Sequence, residues 1–121
     1  MVFDFDKMYC GAIKRGDIFL YEPAPNKKET VVILQDNILN DGLPTAVCAY
    51  IKPYQKNEEV FANEVLINKD ELGVGDDGIC MLHKIYTVPR ELLVAKKGEL
   101  KIKTLNNIYH ALDISLGRFR D

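Results

Sequence analysis

Apolar stretches in this chain are short, and turn-forming residues close nearly all of them, which restricts the fold to brief elements doubled back on one another. Asp17-Ile-Phe-Leu-Tyr-Glu22 follows Arg15-Gly16 and stops at Pro23, so it reads as a strand leading into a breaker-rich loop, Pro23-Ala-Pro-Asn-Lys-Lys28. Thr30-Val-Val-Ile-Leu-Gln35 is a β-branched run short enough for a buried strand, and turns are expected at Asp36-Asn37 and Asn40-Asp41-Gly42. A third strand begins at Pro44, which needs no ladder donor, and ends at Lys52 before Pro53. Past the polar loop from Tyr54 to Glu59, a fourth strand is expected over Val60–Ile67 and a fifth over Ile79–Val88. Many short strands separated by turns indicate a closed or half-closed barrel.

The period changes at the end. Ile102, Leu105, Ile108, Tyr109, Leu112 and Leu116 recur at three- and four-residue steps, which predicts an amphipathic helix over about 102–116 with Ile102, Leu105, Ile108 and Leu112 buried and Gly117 as its stop. Residues 1–12 read as an N-terminal arm or short helix whose Phe3, Phe5 and Met8 pack against the remainder, and 13–121 as a single domain. At 121 residues such a domain buries roughly two-thirds of its unfolded surface.

Sixteen basic against eighteen acidic residues give a net charge of −2, so any nucleic-acid site has to be local. Cys10, Cys48 and Cys80 are odd in number and lack CxxC spacing, which predicts buried free thiols and no metal or other cofactor. Asp4 and Asp6 stand where a signal peptide carries positive charge, and no run is long enough to span a membrane, so a cytoplasmic protein is expected. Gly73-Val-Gly-Asp-Asp-Gly78 matches GxGxxG but precedes a strand and carries two aspartates that would repel a pyrophosphate. It reads as a tight turn, and it lacks the ligand spacing of an EF-hand. In the sequence itself no acidic or cysteine residue stands at catalytic or ligand spacing from His83 or His110, so both read as structural, and Ser115 has no GxSxG elbow.

Three stretches, in order and with few gaps, carry a family resemblance. Ile13-Lys-Arg-Gly-Asp-Ile-Phe-Leu20 is similar to "(I)xRGDIxxV" of the MazF/PemK ribonuclease toxins. Val31-Val-Ile-Leu-Gln-Asp-Asn37 through Pro44-Thr-Ala-Val47 resembles "RPVVVIQND…SPTVIV". Met81–Val88, Lys97-Gly-Glu-Leu100 and Ala111-Leu-Asp-Ile-Ser-Leu-Gly117 resemble "LLEQIRTI…KIGxL…ALxISLG".

The resemblance implies a mainly β fold, an SH3-like, strongly bent antiparallel barrel with a C-terminal α-helix. It also implies a homodimer, a groove for single-stranded RNA, an antitoxin partner and metal-independent endoribonuclease chemistry. The departures fall where that chemistry belongs. Glu29 occupies the place of the family's phosphate-binding arginine, Lys52 that of the threonine ending the third strand, Lys84 that of the glutamine and Tyr86 that of the arginine in "QIRT". A carboxylate in place of a guanidinium reverses the local field, and an ammonium lacks the planar two-toothed grip on phosphate.

Three functions are therefore open. One is a toxin-family protein that binds single-stranded RNA or operator DNA with lost or reduced cleavage. Another is an active sequence-specific endoribonuclease with Glu29 as base and Lys28 or Lys52 stabilising the phosphorane. The third is an SH3-like adaptor that binds protein. The expected nucleic-acid contacts are Lys27, Lys28, Lys52, Lys84 and Tyr86. Strand alternation places Leu82, Lys84 and Tyr86 on one face, opposite Met81, His83, Ile85 and Thr87.

Overall fold

The computed structural model describes residues 8–118. Six antiparallel strands form one sheet: β1 (Asp17–Ala24), β2 (Lys27–Ile33), β3 (Thr45–Pro53), β4 (Glu64–Ile67), β5 (Gly78–Pro89) and β6 (Leu93–Glu99), in the order β4-β5-β3-β2-β1-β6. Three α-helices accompany them, α1 (Asn37–Gly42), α2 (Lys69–Leu72) and, after the last strand, α3 (Ile102–Ser115), with a short 3-10 turn over Arg90–Leu92 between β5 and β6. The fold class is the mainly β, bent antiparallel sheet with a C-terminal helix that the sequence suggests. β4 and β6 remain its two edges, so the ladder does not close into a full barrel.

The gap between those edges is spanned by α2, which follows β4 directly and lies on β6. Its approach is close enough to demand glycine on both sides. A Cβ on Gly73, which has φ +70°, would sit 1.7 Å from the Lys97 carbonyl oxygen, and one on Gly98 2.2 Å from the Glu71 carbonyl oxygen. Gly73 is thus the left-handed cap of α2 rather than part of a simple turn between strands.

Each face of the sheet carries its own core. Ile18, Val32, Ala49, Ile51, Val65, Ile67, Leu72, Cys80 and Leu82 pack with Ile108 and Ala111 of α3, while Ile13, Phe19, Val31, Ile33, Ala46, Cys48, Val88 and Leu93 fill the other side. Ile108 and Ala111 carry the burial of α3, with Leu112 partly buried beside them. Ile102, expected inside, is 77% exposed because it opens the first turn, beyond the edge of the sheet. The backbone at that end is met by Glu71 of α2. Its carboxylate accepts the Lys101 N–H at 3.1 Å and the Thr104 hydroxyl at 2.8 and 3.0 Å, capping a helix whose own N-cap side chain makes no such bond.

Several boundaries differ from the sequence reading. β1 and β2 run closer together than expected, leaving only Pro25-Asn26 as the turn, with Asn26 at φ +64°. Both of the turns expected after β2 belong to α1, whose N-cap Asp36 accepts the Ile38 N–H. β4 starts at Glu64 rather than Val60, because Phe61 and Glu64 close a turn on each other. Cys48 and Cys80 are buried thiols, each pushed up to about 12 by that burial, whereas Cys10 is exposed. Within the N-terminal arm no helix forms over residues 8–12, and Tyr9 packs edge-on against Phe19. Phe3 and Phe5 lie outside the described residues.

Ile108→Asp should strand a charge in the helix-side core and cost several kcal/mol, whereas Ile102→Asp should leave stability within about 0.5 kcal/mol. Urea unfolding of the two variants checks both values, and equal losses would contradict this seating of α3.

Candidate nucleic-acid interface

On the sheet face away from α3, one polar residue and three tyrosines stand in a row across four adjacent strands. Tyr21 on β1 pairs directly with Glu29 on β2, Tyr50 on β3 pairs with Val31, and Tyr86 on β5 pairs with Cys48. Alternation puts Glu29 with Val31 and Ile33, and Tyr21 with Phe19, all on the side of the second core. The Tyr50 and Tyr86 rings stack at 4.5 Å between centroids and 30° between planes, and Tyr21 and Tyr50 are tilted at 6.5 Å. Tyr86 forms the open end of the row at 44% exposure.

Tyr86 reaches this face only because the β3–β5 ladder loses step. Ala49 pairs with Ile85, but the next residue, Tyr50, pairs with Met81, so three residues of β5 have no counterpart in β3. An odd slip inverts the alternation. Leu82 consequently lies in the helix-side core while Tyr86 stacks on the opposite face, which corrects the expectation that Leu82, Lys84 and Tyr86 share one side. Residues 83–87 are exposed throughout.

Glu29 lies at the centre of the row with its side chain 27% exposed. Lys27 Nζ approaches its Oε1 at 3.9 Å, whereas the enclosed Oε2 has no hydrogen-bond partner. Burial, then a hydrogen bond to the Glu29 carboxylate and that carboxylate's charge, push the Tyr50 phenol well above the usual tyrosine range, although the enclosed Oε2 itself has no partner in hydrogen-bond geometry. Burial, and then the Glu29 charge, also raise Tyr21. Both phenols are thus held protonated beside a carboxylate.

The lysines expected to gather here are dispersed. Lys27 and Lys28 are exposed and project to opposite faces of β2, Lys27 on the side of Glu29. Lys52 is engaged by Glu58, whose other oxygen accepts the Gln55 N–H at 3.1 Å. The Lys52–Glu58 hydrogen bond is the main cause raising Lys52 and lowering Glu58. Lys84 is exposed within the slipped segment. The described arginines are occupied elsewhere: Arg15 with Asp36 and the Tyr109 ring, Arg90 with the Asn40 and Gly11 carbonyls, Arg118 with Asp113. Tyr21, Tyr50 and Glu58 were missed from sequence because only the register reveals the first two as neighbours of Glu29, and Glu58 belongs to a loop. His83 meets Asn63 at 3.3 Å, and Ser115 donates to the Leu82 carbonyl at 2.9 Å.

The row makes a testable electrostatic unit. A phenol raised on folding contributes stability that is complete below the ordinary tyrosine pKa of about 10 and is lost as pH climbs beyond it. Glu29→Gln should bring the Tyr50 titration, followed by ring NMR signals, back toward its ordinary value and soften that alkaline loss. Burial should keep it raised in part, and an unchanged Tyr50 titration would show that the two groups are not coupled.

Comparison with known proteins adds the lineage. The PemK-like, MazF-like toxins of type II toxin-antitoxin systems match residues 14–116. The endoribonuclease MazF of Staphylococcus saprophyticus is 29% identical over 111 residues, covering 87% of this chain and 92% of that protein. The endoribonuclease EndoA of Bacillus subtilis is 27% identical over 110 residues, covering 86% and 94%. Among solved structures, a mycobacterial endoribonuclease in complex with its cognate antitoxin superposes with a TM-score of 0.75 at 19% identity, over 88% of this chain and 96% of that one. A MazE-MazF structure from Deinococcus radiodurans gives 0.72 at 12% identity, over 88% and 97%, and at such identities the likeness speaks for the fold. With the family match spanning all six strands and α3, the chain belongs to the PemK-like, MazF-like toxin family of type II toxin-antitoxin systems.

Proposed function

We propose that this protein is the toxin-type member of a toxin–antitoxin pair that binds single-stranded RNA through the tyrosine face and has lost, or strongly reduced, endoribonuclease activity. The observation that carries the reading is Glu29, an anionic group at the centre of the row with no described guanidinium beside it.

Cleavage by a 2′-hydroxyl requires a base, an acid for the leaving oxygen and positive charge where the phosphorane develops. Glu29 supplies a base and the Tyr50 hydroxyl a proton. The third requirement is where the site falls short. Lys28 projects to the other side of β2, Lys52 is neutralised by Glu58, and Lys27 is an exposed ammonium on a flexible stem. Loss of one charge-stabilising donor in such chemistry slows it about 10²–10³-fold.

Binding asks for less. The open Tyr86 ring offers a platform for one base, and the exposed ammonium groups of Lys84, two residues before it on β5, and of Lys27, on the Glu29 side of β2, are offered to phosphates along the strand. The proposal includes an antitoxin partner, a two-fold homodimer and a cytoplasmic setting, in line with the family; among the described residues no helix is long and apolar enough to cross a membrane. A metal-independent site with no cofactor is part of the same reading. An adaptor that binds only protein is less well supported, since the family relatives named above are endoribonucleases.

Titration of a short unstructured RNA by fluorescence anisotropy tests this. Tyr86→Ala should weaken binding by about 1–3 kcal/mol with little change in salt dependence. Lys27→Ala/Lys84→Ala should flatten the plot of log affinity against log salt by about 1.4, the release expected for two phosphates on a single strand. Equal affinity and equal slope for wild type and both variants would remove this face as the RNA site.

A further inference from the structure

The carboxylate that suits a phosphate poorly suits the opposite charge. Glu29 stands between Tyr21 and Tyr50, whose ring centroids are 6.5 Å apart. A cation above the carboxylate can therefore lie within about 6 Å of both ring centres, the range in which aromatic faces attract positive charge. Tyr86, stacked on the far side of Tyr50, holds that ring in place. Both Tyr21 and Tyr50 keep their protons, so the rings present neutral faces and hydroxyl dipoles around a single anion.

The protein itself shows which charge this place attracts. Lys27 reaches toward Glu29 Oε1 but stops at 3.9 Å and stays 65% exposed, and the enclosed Oε2, although the Tyr50 phenol stands beside the carboxylate, has no partner in hydrogen-bond geometry. An enclosed carboxylate oxygen without a hydrogen bond is costly, and a ligand with two parallel N–H groups could satisfy both oxygens after a small rotation of the side chain. The surroundings reinforce the sign: Glu58 cancels Lys52, and Glu64 is close enough to act on the same lysine.

We infer that the Tyr21–Glu29–Tyr50 triad accepts an arginine side chain presented by a protein partner, the guanidinium plane lying against the tyrosine rings and its N–H fork on the Glu29 carboxylate. Arginine fits better than lysine because its planar, weakly hydrated head can stack and bind in two-toothed fashion at once. Among the described residues Arg15, Arg90 and Arg118 are each engaged within their own chain, so the arginine is assigned to a different polypeptide rather than to a second copy. This inference goes beyond RNA binding and does not rest on it: the acceptor lies on the Tyr21 side of Tyr50, whereas a stacked base would use the free side of Tyr86.

The test uses the full chain and two probes, acetyl-Gly-Arg-Gly-amide and its citrulline counterpart, which has nearly the same shape but no charge. The ring and amide NMR signals of Tyr21 and Tyr50 are followed during titration. The arginine peptide should shift them saturably and bind about tenfold more tightly than the citrulline peptide, in keeping with a cation against aromatic faces. Glu29→Gln, with its spectrum otherwise preserved, should reduce arginine to the citrulline level, and Lys27→Ala should tighten it by removing the competing ammonium. Equal binding of the two peptides, or arginine binding untouched by Glu29→Gln, would overturn the inference. So would Tyr21 and Tyr50 signals that respond to a short single-stranded RNA but not to the arginine peptide.

Discussion

The fold depends on one break in step. Where Ala49 pairs with Ile85 and Tyr50 with Met81, β5 carries three residues more than β3, and the strand must bend and turn over to absorb them. Before the slip, Cys80 and Leu82 face the helix-side core; after it, Tyr86 and Val88 face the opposite one. Such an interruption leaves backbone groups without ladder partners, and here they are supplied from two directions. The Leu82 N–H donates to Asn63 just before β4, and the Leu82 carbonyl accepts the Ser115 hydroxyl from the last turn of α3. The bend, the short edge strand and the docking of the C-terminal helix are thus one arrangement, and the tyrosine row exists because of it.

The other end of α3 is fixed by a second arrangement that does not involve the slip. Glu71 is a nearly buried carboxylate, a costly placement unless its oxygens are filled, and both are, by Lys101 N–H and Thr104. That bond holds only if α2 lies against β6, which Gly73 and Gly98 permit. The partially open sheet is closed by a four-residue helix and two glycines rather than by a strand.

Elements whose signal is local were legible in the sequence. The β-branched runs of β1, β2 and β3 and the three-four spacing of α3 declared themselves, as did the ordered segments that resemble the family. β6, Leu-Val-Ala-Lys-Lys-Gly-Glu, did not, because it is held by pairing with β1 rather than by its own pattern. Ile102 fits the helical period yet is exposed, since periodicity gives the face of a helix but not how far the sheet beneath it extends. At the site, Glu29 and Tyr86 could be singled out by comparison with a family pattern. Tyr21 and Tyr50 could not, because they become neighbours of Glu29 only through cross-strand register, and alternation read along β5 alone put Leu82 on the wrong side. The tie between Lys52 and Glu58 was hidden for a similar reason, as nothing in the loop's composition shows where it folds back.

The tyrosine face is thus marked by its electrostatic sign. Its row carries a carboxylate flanked by two phenols whose pKa burial and that carboxylate raise, and Lys52 is already matched by Glu58. The most direct measurement is the rate at which the purified protein cuts long unstructured RNA in the absence of added metal, for wild type and for Glu29→Arg. The account predicts negligible cutting by wild type and a rise of about 10²-fold or more when a guanidinium is introduced. Rapid cutting by wild type that is abolished by Glu29→Arg would contradict it and make Glu29 the base of a working ribonuclease.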